Sequence, residues 1–223
     1  MPAKVKTSIK RVLVVDDHPM MRTGLAQLIN DEPDLKVCAE ADTAGQALDV
    51  LADQKFDLVL LDISLPDKNG LELIKDIQSL RPGLPILVVS MHDEAVYAER
   101  VLRAGGRGYL MKQEGGKKLL EAIRQVLAGN ISVSEKMAAR ILEIFSGQRA
   151  GPESPVERLS DREFEVFQLI GQGLGTREVA ARLHLSAKTV AVHRTNIRKK
   201  LKLNGATDVV RHAIRWVEMG GRS

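Results

Sequence analysis

The stretch Asp57-Leu58-Val59-Leu60-Leu61-Asp62 decides how the N-terminal part of the chain folds. Four apolar residues in a row, with no polar residue alternating between them, do not suit a strand with one wet face. They suit a strand covered on both sides, as in a parallel sheet with helices packed on each face. The run Val12-Leu13-Val14-Val15 has the same form. Both runs end on acids, Asp62 after one and Asp16-Asp17 after the other.

Outward from these two strands the pattern repeats. Strands are expected at 11–15, 35–41, 57–61, 85–89 and 107–111, and helices near 19–30, 43–53, 70–79, 93–103 and 116–128. Short β-branched runs alternating with helical periodicity are the mark of strands joined by crossover helices, so a five-stranded, parallel, doubly wound α/β domain is expected over 9–130. One more helix is expected over 131–145. Periodicity then stops at Ser146-Gly147-Gln148-Arg149-Ala150-Gly151-Pro152-Glu153-Ser154-Pro155, which reads as a linker. Residues 131–156 are therefore expected to form a linker helix followed by a flexible connection. Ser160-Asp161-Arg162-Glu163 has the form of a capping box and opens a helix to about Ile170. Further helices are expected after Thr176, after Ser186 and near Thr207, giving a small all-α, four-helix domain over 157–220.

Composition narrows the function classes. No run of about 18 apolar residues exists, and Met1-Pro2-Ala3-Lys4 leads into charge, so a soluble cytoplasmic protein with no membrane partner is expected. The single cysteine, Cys38, excludes an internal disulfide framework and a cysteine-rich zinc site, and its apolar neighbours suggest a core thiol. The net charge of +4 is unevenly divided. Residues 157–223 hold 13 Lys/Arg against 7 Asp/Glu, leaving 20 against 22 for the rest. From Ser186 to Lys202 there are six cations and no acid, a footprint suited to a polyanion.

In open parallel sheets, functional groups collect at the carboxyl ends of the strands. Asp16 and Asp17 follow the first strand, Asp62 the third, Ser90 the fourth and Lys112 the fifth, so all are expected on one edge. Three crowded carboxylates call for a hard divalent cation such as Mg²⁺. A lysine and a hydroxyl beside them suit the oxygens of a phosphoryl group. This set resembles the receiver domain of two-component response regulators, over nearly all of 9–130. The resemblance implies Asp62 as phosphoryl acceptor, and Mg²⁺ held by Asp16, Asp17, Asp62 and the backbone carbonyl of Ser64. It further implies Lys112 and Ser90 on the phosphoryl oxygens, Tyr109 as the aromatic that changes rotamer, and a phosphohistidine on a cognate histidine kinase as donor. Gln113 and Asn69 depart from the family, which usually has proline and aspartate there. His18, beside the acidic pair, reads as a helix-start residue more readily than as a metal ligand.

Placing residues at intervals of about 100° around the helix after Ser186 puts Val190, His193, Ile197 and Leu201 on one stripe, expected to face the core. Lys188, Ala191, Val192, Thr195, Lys199 and Lys202 fall opposite. His193 is then expected to be a hydrogen-bonded structural residue. The motifs Leu159-Ser160-x-Arg162-Glu163, Thr189-Val190-x-Val192-His193 and Asn196-Ile197-x-x-Lys200-Leu201 resemble the LuxR/FixJ type of helix-turn-helix, and with the receiver they point to the NarL/FixJ class. That resemblance implies double-stranded DNA as partner, a homodimer when phosphorylated, and RNA polymerase as a further partner. Base readout would fall to Lys188, Ala191, Val192 and Thr195, and phosphate contacts to Arg198, Lys199 and Lys202.

The expected function is thus a phosphorylation-dependent transcription regulator and not a turnover enzyme. Two alternatives stand beside it. An aspartyl-nucleophile, Mg²⁺-dependent phosphatase would also use Asp62, but typically has a second aspartate where Ser64 stands. A small-molecule-sensing regulator with the same helix-turn-helix would have an aromatic-rich sensor, whereas aromatic residues are 3% of this chain.

Overall fold

The computed structural model describes residues 8–146, 155–183 and 185–219. Most of the expected linker, residues 147–154, lies outside the described residues, as does His184 in the joint of the helix-turn-helix. The chain divides into two compact units between Ala138 and Ala139.

In the first unit, β1 (Lys10–Val15), β2 (Leu35–Ala41), β3 (Leu58–Leu61), β4 (Ile86–Ser90) and β5 (Gly108–Met111) form one sheet in the order β2-β1-β3-β4-β5. Every pairing is parallel. The crossovers carry α1 (Pro19–Asn30), α2 (Ala44–Asp53), α3 (Gly70–Leu80) and α4 (Glu94–Ala104), and α5 (Gly116–Leu127) follows β5. Alternate strand residues Val12, Val14, Leu58, Leu60, Leu87 and Val89 pack with Leu25, Ile29, Leu119, Ile123 and Val126 of α1 and α5. Their neighbours Leu13, Val59, Leu61 and Val88 face the other way, where Leu51, Ile74, Ile77 and Val101 of α2, α3 and α4 are also buried. Each fully buried aliphatic side chain contributes roughly 1.5–3 kcal/mol, and the double cover is what the uninterrupted apolar runs called for.

Two expectations need correction. The helix expected from 131 starts at Glu135, as α6 (Glu135–Phe145). Ser132 forms a parallel bridge with Gly108 instead, accepting from the Tyr109 amide at 2.9 Å and donating to the Arg107 carbonyl at 3.0 Å. The β-branched pair Ile131 and Val133 favours this extended backbone. Cys38 is only half-buried, because β2 is an edge strand.

In the second unit a 3-10 turn (Pro155–Arg158) leads into α7 (Asp161–Gly171), α8 (Thr176–Arg182), α9 (Ala187–Lys200) and α10 (Ala206–Glu218). The capping box at Ser160 and Glu163 is present. Phe164, Phe167, Val179, Val190, Ile197, Val209 and Trp216 make the core, with Trp216 edge-on to Phe164 at 5.4 Å. Gly171 ends α7 and Gly173 takes φ 90°, so this glycine run is a helix stop and turn.

Candidate functional site

After β1 the chain turns to one side of the sheet and after β3 to the other, which leaves a crevice at the carboxyl ends of these adjacent strands. Asp16 and Asp62 sit in it, both buried. Lys112 follows β5 at the start of a 3-10 turn (Lys112–Glu114) and reaches across, its Nζ 2.7 Å from Asp16 Oδ2 and 2.7 Å from Asp62 Oδ2. Burial alone would lower the Lys112 pKa, but the two carboxylates outweigh it and hold the ammonium above its ordinary value. The Asp62 carbonyl would also lie 3.0 Å from a Cβ on Gly70, and the Ile63 Cα only 2.6 Å, so the β3–α3 loop closes over the start of α3 only because residue 70 has no side chain.

Asp17 is more open. The His18 Nδ1 lies 2.7 Å from its Oδ1 but off the direction of a hydrogen bond, so that buried oxygen has no hydrogen-bond donor. Ligand-type atoms of Asp16, Asp17, His18 and Asp62 all fall within 4.8 Å of one another. A buried carboxylate oxygen without a donor among the described residues, crowded with two further carboxylates at the mouth of a crevice, fits a hard divalent cation. His18, read from sequence as a helix-start residue, is the N-cap of α1 and also belongs to this cluster through its ring.

Ser90 is buried at the end of β4, beside the phenol of Tyr109. Tyr109 is 1% exposed and donates from its hydroxyl to the His92 carbonyl at 2.9 Å. Burial pushes its phenol well above the ordinary range, so it remains a neutral donor. Ser64 donates its amide to Asp62 Oδ1 at 3.3 Å, and its hydroxyl lies 3.0 Å from His92 Nε2. Asn69 caps α3, accepting from the Leu71 amide at 2.6 Å.

On the second unit, α9 and the two residues after it bury Val190, Ile197 and Leu201 and turn Lys188, Ala191, Val192, Thr195, Lys199 and Lys202 outward. Val192 is 53% exposed. No carboxylate of the described residues pairs with Lys188, Arg198, Lys199 or Lys202. The Thr195 hydroxyl donates back to the Ala191 carbonyl at 3.0 Å, so toward a partner it offers an acceptor and a methyl group. Of the cations in the footprint, Lys200 is committed internally, 2.6 Å from Glu163 of α7. His193 lies on the inward side, and its Nδ1, where a hydrogen bond is expected, is buried with no partner among the described residues. Burial and the nearby Arg162 keep its pKa below the ordinary value.

Comparison with known proteins places both units. Residues 12–124 match the response regulator receiver domain, and residues 157–213 match the bacterial regulatory proteins of the luxR family. The nitrate/nitrite response regulator protein NarL of Escherichia coli (strain K12) is 36% identical over 199 residues, covering 88% of this chain and 91% of that protein. The chain is a response regulator of the NarL/FixJ class. The oxygen regulatory protein NreC of Staphylococcus haemolyticus is 32% identical over 210 residues, 92% of this response regulator and 97% of NreC. A solved structure of RcsB from Salmonella enterica serovar Typhimurium, bound to promoter P1flhDC with phosphomimetic BeF3-, is 26% identical with a TM-score of 0.67, covering 92% of this chain and 98% of that one. The response regulator is accordingly a phosphorylation-dependent, DNA-binding transcription regulator.

Two residues of this response regulator's site escaped the sequence reading. His92 joins the β3–α3 and β4–α4 loops through Ser64, stacks on Tyr97 at 4.8 Å and holds Tyr109 through its carbonyl. Its ring pKa is lowered by burial, partly offset by Asp62. Arg22 donates to the Asp16 carbonyl at 2.6 Å. Neither contact follows a local motif; a polar residue two places beyond Ser90 was the only signal for His92. Among the described residues, no helix is long and apolar enough to cross a membrane.

Proposed function

We propose that Asp62 accepts a phosphoryl group from a histidine kinase, and that the phosphorylated chain binds paired DNA half-sites as a dimer in the bacterial cytoplasm. RNA polymerase is the partner such a promoter-bound dimer would meet. In this reading residues 9–130 are the receiver, 131–156 the connection and 157–220 the DNA-binding domain. The chain is a switch that turns over only its own modification, and the phosphatase alternative is weakened by Ser64 standing where such enzymes carry an acid.

The observation that carries the reading is Lys112 bridging Asp16 and Asp62 at 2.7 Å in a buried crevice where Asp17 Oδ1 has no donor among the described residues. Asp16, Asp17, Asp62 and the Ser64 carbonyl would hold Mg²⁺, which when bound offsets the repulsion between these carboxylates and the incoming phosphoryl oxygens. An Asp62 oxygen attacks phosphorus, the P–O bond forms as the P–N bond to the donor imidazole breaks, and the imidazole leaves to take up a proton. Lys112 then exchanges one carboxylate partner for a phosphoryl oxygen, a charge-assisted contact of the same kind. Ser90 donates its hydroxyl to another such oxygen, and Tyr109 gives up its bond to His92 as it follows the loop inward.

On DNA, Val192 and the acceptor face of Thr195 suit base edges, with Lys188 and Ala191 beside them, while Arg198, Lys199 and Lys202 suit phosphates. The test is chemical. With Mg²⁺ and a small phosphoryl donor such as acetyl phosphate, the chain should gain one acid-stable, base-labile phosphoryl group, lost in Asp62→Asn and on chelation of the metal. Undiminished labelling of Asp62→Asn would reject Asp62 as acceptor.

A further inference from the structure

We propose that Arg22, steadied by Glu40, is a positioning residue for the acidic site: it fixes the peptide between Asp16 and Asp17 so that the Asp17 carboxylate faces the divalent cation. The proposal rests on the reading of Asp16, Asp17 and Asp62 as the Mg²⁺ site.

Besides the Asp16 Oδ2 that Lys112 holds, three other polar groups of Asp16 are bonded. Its amide donates to the Ala41 carbonyl of β2 at 3.1 Å, its Oδ1 accepts from the His18 amide at 2.9 Å, and its carbonyl accepts from Arg22 Nη1 at 2.6 Å. The last of these does something the other two do not. The Asp16 carbonyl and the Asp17 amide belong to one rigid peptide plane, so holding the carbonyl sets the rotation at which Asp17 leaves the strand. Asp17 has one oxygen buried without a donor and a neighbour, His18, that is largely exposed; its direction is therefore inherited from the backbone. Arg22 stands on the second turn of α1, one turn beyond the cap, which brings its side chain back over the β1–α1 joint.

The guanidinium is itself anchored. Its Nε lies 3.5 Å from Glu40 Oε2 on β2, and the Arg22 side chain is 16% exposed. A planar fork can serve a carbonyl with one edge and a carboxylate with another, which a single ammonium point charge does less well. Groups that orient metal ligands from behind commonly affect metal affinity by about 10–100-fold when removed. Arg22 touches neither the acceptor carboxylate nor the reacting phosphorus, so its removal should act through cation affinity alone.

Calorimetric titration of the full chain with Mg²⁺, alongside thermal melts without Mg²⁺, tests this. Arg22→Ala should bind Mg²⁺ about tenfold more weakly than wild type, and Arg22→Lys should recover part of the loss. The initial rate of labelling from acetyl phosphate should fall for Arg22→Ala at limiting Mg²⁺ and return to the wild-type rate at saturating Mg²⁺, a recovery that a damaged fold would not give. If the wild type fails to bind Mg²⁺, or Asp17→Asn binds it as tightly as wild type, the metal reading itself is wrong. If Asp17→Asn loses binding while Arg22→Ala keeps the wild-type affinity, the metal reading stands and the assignment of Arg22 is overturned. Should Arg22→Ala fail to fold, Glu40→Gln decides: a few-fold weaker affinity is expected, and an unchanged one overturns the proposal.

Discussion

Lys202, just past the C-terminal cap of α9, sits in the left-handed region at φ 55°, alone in this among the described non-glycine residues. Its amide closes the helix onto the Lys199 carbonyl at 3.1 Å, and the Leu203 amide onto Arg198 at 2.9 Å. Glycine is the usual occupant of such a position, and an L-residue there costs about 1–2 kcal/mol. An exposed lysine with no carboxylate partner among the described residues, kept where glycine would fit better, suits a phosphate contact at the end of the helix. Lys202→Gly should therefore raise the unfolding free energy of the C-terminal domain by up to about 1 kcal/mol, read by urea melts. It should also weaken DNA binding and reduce its salt slope by about one phosphate contact. Tighter folding with unaltered binding would remove Lys202 from the interface. Residues such as Asp62 and Lys112 were legible from sequence because each directly follows an apolar run. His92 and Lys200 were not. Their partners Ser64 and Glu163 lie 28 and 37 positions away, and only folding brings them within reach.

Between elements, the β3–α3 loop is tied to the start of α2. Asp67 accepts from the Ala44 amide with one oxygen and from the Gly45 amide with the other, both at 2.9 Å, next to the cap that Thr43 provides for Gln46. A carboxylate at a helix N-terminus is favoured by the free amides and by the helix dipole. Burial alone would raise the Asp67 pKa, but the amides of Ala44 and Gly45 outweigh it and hold it below the ordinary 3.8. A carboxyl depressed in the folded state adds stability above its unfolded value, and loses it as pH falls through the folded one. Asp67→Asn should accordingly be less stable than wild type near neutrality, by roughly 0.5 kcal/mol for so exposed a site. The gap should close as pH falls below 3.8, and urea melts at stepped pH would show it. A gap that persists into strong acid would mean the clamp is not electrostatic. Elements themselves were legible to within one or two residues wherever an apolar period ran long enough. The exception was the start of α6, where Ser132 joins the edge of β5; three residues carry too short a pattern to separate a strand from the first turn of a helix.

At the scale of the whole molecule, charge and chemistry are divided between the two units. The acidic crevice belongs to a part with a net charge of −2, and the basic helix to residues 157–223 with a net of +6. That division was legible from sequence, because it depends on composition and on which residues end strands. The packing of the segment that follows α5 was not: Ser132 reaches the backbone of Tyr109 through the sheet edge, and the Ser134 amide donates to Glu94 at the start of α4 at 2.8 Å. These contacts connect the segment before α6 to the elements around the acceptor. In the proposed switch, the state of Asp62 sets DNA affinity. This is tested most directly by measuring binding of the full chain to a duplex with paired half-sites, with and without beryllofluoride and Mg²⁺, for wild type and Asp62→Asn. Couplings of this kind commonly amount to about 5–150-fold. Beryllofluoride should tighten binding within that range for the wild type and leave Asp62→Asn unmoved; equal affinities throughout, or an equal response of the two proteins, would contradict the claim.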